Sequence, residues 1–233
     1  MAPFPPLYLR RRLFEAFGSA RYSRPALNDL DRKLEAYLSL DGGFFVEAGA
    51  NDGYTQSNTY YLERFRGWHG VLIEPVSEAY LRCRRERPRS TVVRCALVAA
   101  ADARDTVPML TSNLTSLVRG AHPSDAADRE HARRGAAVQA IEVGEATVPA
   151  RTLTAVLDEV GAPRVDFLSL DVEGYEAEVL RGLDLERHRP RYVLVEARFR
   201  DAVDAVLLPR YRVLAELTHH DVLYGAVGEP GDR

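Results

Sequence analysis

The sequence predicts an α/β protein: a mostly parallel, seven-stranded, Rossmann-like sheet with helices on both faces. Three observations predict it. Short apolar runs recur at 44–50, 70–74, 91–99, 165–172, 192–196, 211–217 and 222–227. The first five are continuous rather than alternating, as strands buried on both faces of a parallel sheet must be. Helix-like segments separate them at 57–65, 77–87, 153–160, 174–180 and 202–208, and strands alternating with helices build βαβ units.

In chain order, residues 1–43 read as a helical segment ahead of the domain. The start, MAPFPPLYLRRRLFEAFG, sets its basic cluster after the apolar residues and has no apolar core of a signal peptide. It predicts a helix covering part of the core, with a partner-docking helix as the other reading. Leu27, Leu30, Leu34 and Leu38 recur at helical spacing and predict a helix over 25–40, stopped by Asp41-Gly42-Gly43. The domain proper spans 44–228. Residues 101–151 break its rhythm: strand-like pieces at 106–110 and 138–148 flank a polar stretch with His122, Pro123 and a charged run over 125–134. That stretch reads as an insertion over the functional end of the sheet. The short connection 218–221 predicts a closing antiparallel hairpin at the edge. Residues 229–233 read as a flexible tail.

A length of 233 residues suits one large domain, and 46% hydrophobic with 28% charged residues is ordinary for a globular chain. A net charge of −3 gives no global pull toward nucleic acid or anionic membrane. The arginine patches at Arg10–Arg12 and 82–89 read as solvated helix faces. Two cysteines, Cys83 and Cys95, exclude a disulfide framework and point to a reducing, cytoplasmic setting. No apolar run approaches the roughly 20 residues of a membrane span.

The sharpest local signal is Phe44-Phe-Val-Glu-Ala-Gly-Ala-Asn-Asp-Gly53, an apolar strand running into a turn bounded by Gly49 and Gly53. Glycine there lets the backbone approach a ligand closely. Glu74 ends the second strand, 21 residues after Gly53, where a carboxylate accepts hydrogen bonds from ribose hydroxyls. A nicotinamide dinucleotide would use the same acid. However, Gly49-x-x-x-Gly53 is not G-x-G-x-x-G, and Glu47 and Asp52 would repel a pyrophosphate. The charge pattern prefers the sulfonium of S-adenosylmethionine.

These residues resemble the FkbM family of methyltransferases. The likeness is carried by Asn51-Asp-Gly-Tyr-Thr-Gln-Ser-Asn-Thr59, by Gly67-Trp-His-Gly-Val-Leu-Ile-Glu-Pro75, and by Val165-Asp-Phe-Leu-Ser-Leu-Asp-Val-Glu-Gly-Tyr-Glu176 with Val179-Leu-Arg-Gly182. It runs from about Phe44 to Tyr224. The resemblance implies a class I methyltransferase fold, S-adenosylmethionine as methyl donor, and O-methylation of a hydroxyl on a natural product, polyketide or sugar. Glu47 departs from the family's more frequent Asp and keeps the charge. Carried over by position, Glu47, Gly49, Asn51, Asp52, Gly53, Thr55 and Asn58 surround the methionine half. Glu74, with Pro75, holds the ribose, and Cys95, Ala96 and Leu97 lie against the adenine.

Methyl transfer to an alcohol needs alignment and removal of a proton. Asp171 ends the fourth strand, where it also borders the cofactor, and Glu196 ends the fifth; if these strands are neighbours, their carboxylates converge beside the methyl position. The pair is a candidate site for a divalent cation such as Mg, which would acidify the hydroxyl. The metal-free alternative uses Asp171, Glu173 or a histidine of the final hairpin, His220, as base. Ser112, Asn113, Thr115 and Ser116 are candidate substrate contacts. The expected partner is a small-molecule hydroxyl, with no nucleic acid and no membrane span; homo-oligomerisation is left open. The competing readings are an NAD-dependent oxidoreductase or epimerase and a non-catalytic module of the same fold.

Overall fold

The computed structural model describes residues 6–102, 104–208 and 210–228. The elements run α1 (Pro6–Ala16), α2 (Leu30–Lys33), β1 (Phe44–Ala48), α3 (Tyr60–Phe65), β2 (His69–Ile73), α4 (Ser77–Glu86), β3 (Thr91–Val93) and β4 (Ala96–Leu97). Then follow β5 (Thr106–Thr111), β6 (Leu117–Val118), α5 (Asp125–Gln139), β7 (Gly144–Arg151), α6 (Leu153–Glu159) and β8 (Phe167–Leu170). The chain closes with α7 (Glu176–Arg181), β9 (Tyr192–Glu196), α8 (Arg200–Leu207), β10 (Tyr211–Glu216) and β11 (Asp221–Ala226).

The seven predicted apolar runs all contribute to one seven-stranded sheet, in the order β10-β11-β9-β8-β1-β2-β3. It is parallel from β3 to β9, and β11 and β10 add antiparallel. This is the class I methyltransferase topology, with the expected hairpin at its edge. Every residue of β1 is buried, because alternate side chains feed two cores. Phe44, Val46 and Ala48 pack with Leu153, Val156, Val179, Leu180 and Val203 of α6, α7 and α8. Phe45 points the other way, to Leu34, Leu62, Trp68 and Cys83. Strand order reverses at β1, so a crevice opens beyond the carboxyl ends of β1 and β8, the usual ligand position of such sheets.

The structure departs from the sequence reading in several places. The predicted strand 91–99 breaks after Val93: β4 leaves the main sheet and joins a second, four-stranded sheet, β4-β7-β5-β6, made largely by the insertion. The charged run 125–134 is not an open loop. It lies in the 15-residue α5, capped by the Ser124 hydroxyl, which accepts from the Ala127 amide. Asp125–Arg129 and Glu130–Arg134 pairs at i,i+4 line its outside, while Asp128, Ala132 and Ala136 are buried. Val138 belongs to that helix, so the second insertion strand starts only at Gly144. The helix predicted over 25–40 is three single turns, interrupted where Asn28 and Asp29 take left-handed φ of 53° and 55°; Leu30, Leu34 and Leu38 are still buried. Cys83 and Cys95 are buried and unbonded. Among the described residues no helix is long and apolar enough to cross a membrane. The predicted tail, 229–233, lies outside the described residues.

Candidate active site

The crevice is a cavity of about 890 Å³, counting its open mouth. The β1 turn, the β2 tip, the Cys95–Leu97 segment, the β8 end and the insertion all wall it. Gly49 and Glu74 border it together, as the sequence reading requires. Gly49 has φ +85°, and a Cβ there would sit 1.9 Å from the Asp171 carbonyl oxygen. Only glycine lets the ends of β1 and β8 meet so closely.

Glu74 is buried and accepts the amides of Asn51 at 2.9 Å and Val76 at 2.8 Å. Burial pushes its carboxyl up to about 7, against the pull of those two amides. Lone pairs remain for a ligand, since a carboxylate offers about four acceptor positions. Pro75, Cys95, Ala96 and Leu97 continue the wall beside it, and Met109, Leu114 and Val118 of the insertion also line it. Enclosure raises the Cys95 thiol to about 12, so it acts as an apolar wall.

Glu47 lines the floor, but its carboxylate is occupied by the protein. It accepts the Ser57 hydroxyl at 2.9 Å, the Thr59 hydroxyl at 2.6 Å and the Asn58 amide at 2.9 Å. These bonds hold 57–59 in a loop, which is why the predicted helix 57–65 starts only at Tyr60. Arg87 closes this network from below. It is fully buried, donates to Glu63 at 2.9 Å and reaches the Gly53 carbonyl and the Ser57 and Thr59 hydroxyls. Sequence reasoning placed Arg87 among solvated arginines; a proline directly after it, ending the helix, was the one available hint.

Asn51, Thr55 and Asn58 line the cavity, whereas Asp52 and Gly53 do not. Asp52 instead folds its own loop, accepting the amides of Tyr54 and Thr55 and the Thr55 hydroxyl. Gly53 packs on Arg87 and Cys83. Asn58 donates through its Nδ2 to Ser169, and its buried Oδ1 has no partner.

At the β8 end, Asp171, Glu173 and Glu196 bring carboxylate oxygens within 4.8 Å of one another. Asp171 and Glu173 line the cavity; Glu196 stands behind them. Enclosure by protein, then the charges of Glu196 and Glu173, raise the Asp171 carboxyl well above the usual range. Asp171 is nonetheless an exposed residue that borders the cavity, where the like charges of Glu196 and Glu173 disfavour its ionised form. Burial and the charge of Glu173 raise Glu196 as well. Arg198 lies 3.1 Å from both Glu173 and Glu196. His131 of α5, unnoticed in the sequence, places Nε2 2.7 Å from Glu173 Oε2. Glu173 itself holds a left-handed φ of 60°, a strain tolerated mostly at functional positions. It and Gly174 delay α7 to Glu176, although the helix was predicted from 174.

His220 does not join the site. Its carbonyl accepts the Ala197 amide, its ring lies tilted against His219 with centroids 3.9 Å apart, and it is not part of the cavity wall. Of the insertion's polar candidates, Asn113 and Ser116 line the cavity. Ser112 and Thr115 bond to each other instead.

Several solved structures are similar to this chain at low identity. The methyltransferase FkbM of Methylobacillus flagellatus KT is similar at 14% identity and a TM-score of 0.46, over 93% of this chain and 59% of that one. A TehB-like SAM-dependent methyltransferase of Corynebacterium glutamicum is similar at 11% identity and a TM-score of 0.42, over 94% and 95%. Aeropyrum pernix fibrillarin, in complex with natively bound S-adenosyl-L-methionine, is similar at 13% identity and a TM-score of 0.43, over 85% and 76%. No curated protein is similar in sequence at a significant level. The family model of the methyltransferase FkbM domain matches residues 47–220, a span that holds the Gly49 turn, Glu74 and the three carboxylates, and the chain belongs to that family.

Proposed function

We propose that the protein is an S-adenosylmethionine-dependent O-methyltransferase acting on a small-molecule hydroxyl. The observation that carries the reading is the shared cavity of Gly49, Glu74 and Asn58. A buried carboxylate at the β2 tip suits the ribose diol. The unpartnered Asn58 Oδ1 suits the ammonium of the methionine half. Cys95, Ala96 and Leu97, with Met109 and Leu114, offer an apolar slot for adenine. The donor, when bound, supplies an electrophilic methyl group on a sulfonium sulfur.

The chain's own residues then position the acceptor and take its proton. Asp171 faces the cavity with a raised proton affinity, the property a general base needs near neutral pH. Glu173, clamped by His131 and Arg198, fixes the wall beside it. Isothermal calorimetry with S-adenosylhomocysteine and with NAD is the test. Micromolar binding of the first and none of the second is expected; the reverse overturns the reading. Methyl transfer to candidate alcohols then tests the acceptor class.

A second reading adds a divalent cation at Asp171, Glu173 and Glu196, favoured by their spacing within 4.8 Å. Arg198 already supplies positive charge at 3.1 Å to two of the three, so the metal-free form stands first. Activity that survives chelator with no Mg response supports that order.

A further inference from the structure

α1 is docked inside out. A surface helix ordinarily buries its apolar stripe and exposes its charges. Here the charges face the protein. Arg11 is buried 2.8 Å from Glu86, with its guanidinium 3.6 Å over the Tyr54 ring. Arg12 reaches the same carboxylate at 3.0 Å. Glu15 accepts the Ser23 and Tyr60 hydroxyls and pairs with Arg64 at 2.8 Å. The apolar side chains point away: Leu9 is 61% exposed, Leu13 57% and, just past the helix end, Phe17 83%. They are spaced four apart and share one face. Leu7, on another side of the helix, is also exposed. Such a stripe marks a contact surface.

Along the segment that carries this stripe the exposed charge is of one sign. From residue 7 to 27 the only acid is Glu15, and its carboxylate is taken up in the contacts above. Arg10 and Arg21 are exposed. The Glu86 contact sets α1 beside the last turn of α4, which exposes Arg84 and Arg85, followed by Arg89. Among the described residues no carboxylate pairs with Arg10, Arg84 or Arg85. A second copy on this face would oppose like charges. An anionic lipid surface instead offers acyl chains to the leucines and phosphates to the arginines.

We infer that α1 seats the protein on anionic membrane surfaces, with Leu9, Leu13 and Phe17 entering the headgroup boundary and Arg10, Arg84 and Arg85 at the phosphates. The inference is independent of the active-site reading. The test is co-sedimentation of the full chain with phosphatidylcholine vesicles, with and without phosphatidylserine. Binding is expected only with phosphatidylserine, weakening as salt is raised. The double variants Leu13→Ser/Phe17→Ser and Arg84→Glu/Arg85→Glu should each reduce partitioning about tenfold or more. All four side chains are exposed, so unchanged thermal melting confirms that these variants are folded. No binding to anionic vesicles, or binding that the variants do not alter, overturns the inference. So does a concentration-dependent dimer, without lipid binding, that Leu13→Ser/Phe17→Ser dissociates.

Discussion

At the scale of single residues, Glu74 joins protonation to ligand binding. Its folded-state carboxyl is raised to about 7, above the ordinary 4.5. The native state therefore holds a proton there that the unfolded chain has released. The stabilising share of that proton is complete below about 4.5 and is lost as pH rises through 7. Ribose hydroxyls donate to the ionised form, so binding below pH 7 must expel the proton. Donor affinity should rise by up to about tenfold per unit from pH 6 to 7 and flatten above. Calorimetry in buffers of different ionisation enthalpy would show the released proton, and Glu74→Ala should lose both affinity and pH dependence. An affinity that falls over this range would mean Glu74 does not face the ligand as an acceptor. Asp171 allows a contrasting result. Asp171→Asn should lower turnover by roughly 10²–10⁴-fold, the usual share of general base catalysis, while the dissociation constant for S-adenosylhomocysteine changes little. Equal losses in both would make Asp171 a binding residue only.

At the scale of elements, the main sheet was legible because each buried strand is a continuous apolar run, and the closing hairpin because only a short connection separates its strands. The misreadings share one physical cause. A polar residue's partner lies far away in sequence, so its state cannot be read locally. Arg87 looks like one more arginine of a basic helix, yet its partners are Glu63, 24 residues before it, and Glu47, 40 before it. Asp52 looks like a ligand but folds its own turn, and Asp128 looks solvated in a charged run but is buried on the inner face of α5. Arg87→Met tests the network. It leaves Glu63 and Glu47 buried without their cation, which should cost about 3–5 kcal/mol. For a chain of this size that lowers Tm by about 10 °C. It should also loosen residues 51–59 and weaken donor binding, whereas Arg84→Met on the exposed face of the preceding helix should change neither. A melting temperature within a degree or two of the parent would show that the network contributes little.

At the scale of the whole molecule, the cavity belongs to two sheets at once. The main sheet brings Gly49, Glu74 and Asp171; the second, built on the insertion, brings Met109 and Val118, with Asn113 and Leu114 between its strands. Contacts tie the two across the opening, among them Asn51 Nδ2 to Asn113 Oδ1 at 3.2 Å and His131 to Glu173 at 2.7 Å. A ligand filling the cavity touches both walls and so favours the state in which they are closed together. Whatever binds the folded form alone stabilises it by mass action, about 2.7 kcal/mol at a hundred times the dissociation constant. At about 2–4 °C per kcal/mol, S-adenosylhomocysteine at that excess should raise Tm by roughly 5–10 °C, and hydrogen exchange should slow in β5, β6 and α5 as well as at the β1 turn. Protection confined to the β1 turn and β2 would mean that the insertion does not close on the donor. NAD should produce no shift, since the cavity floor beside the first turn holds Glu47 and no paired glycines to receive a pyrophosphate. A comparable shift with NAD would remove the argument for a sulfonium donor at its root, because both ligands would then be read by Glu74 alone.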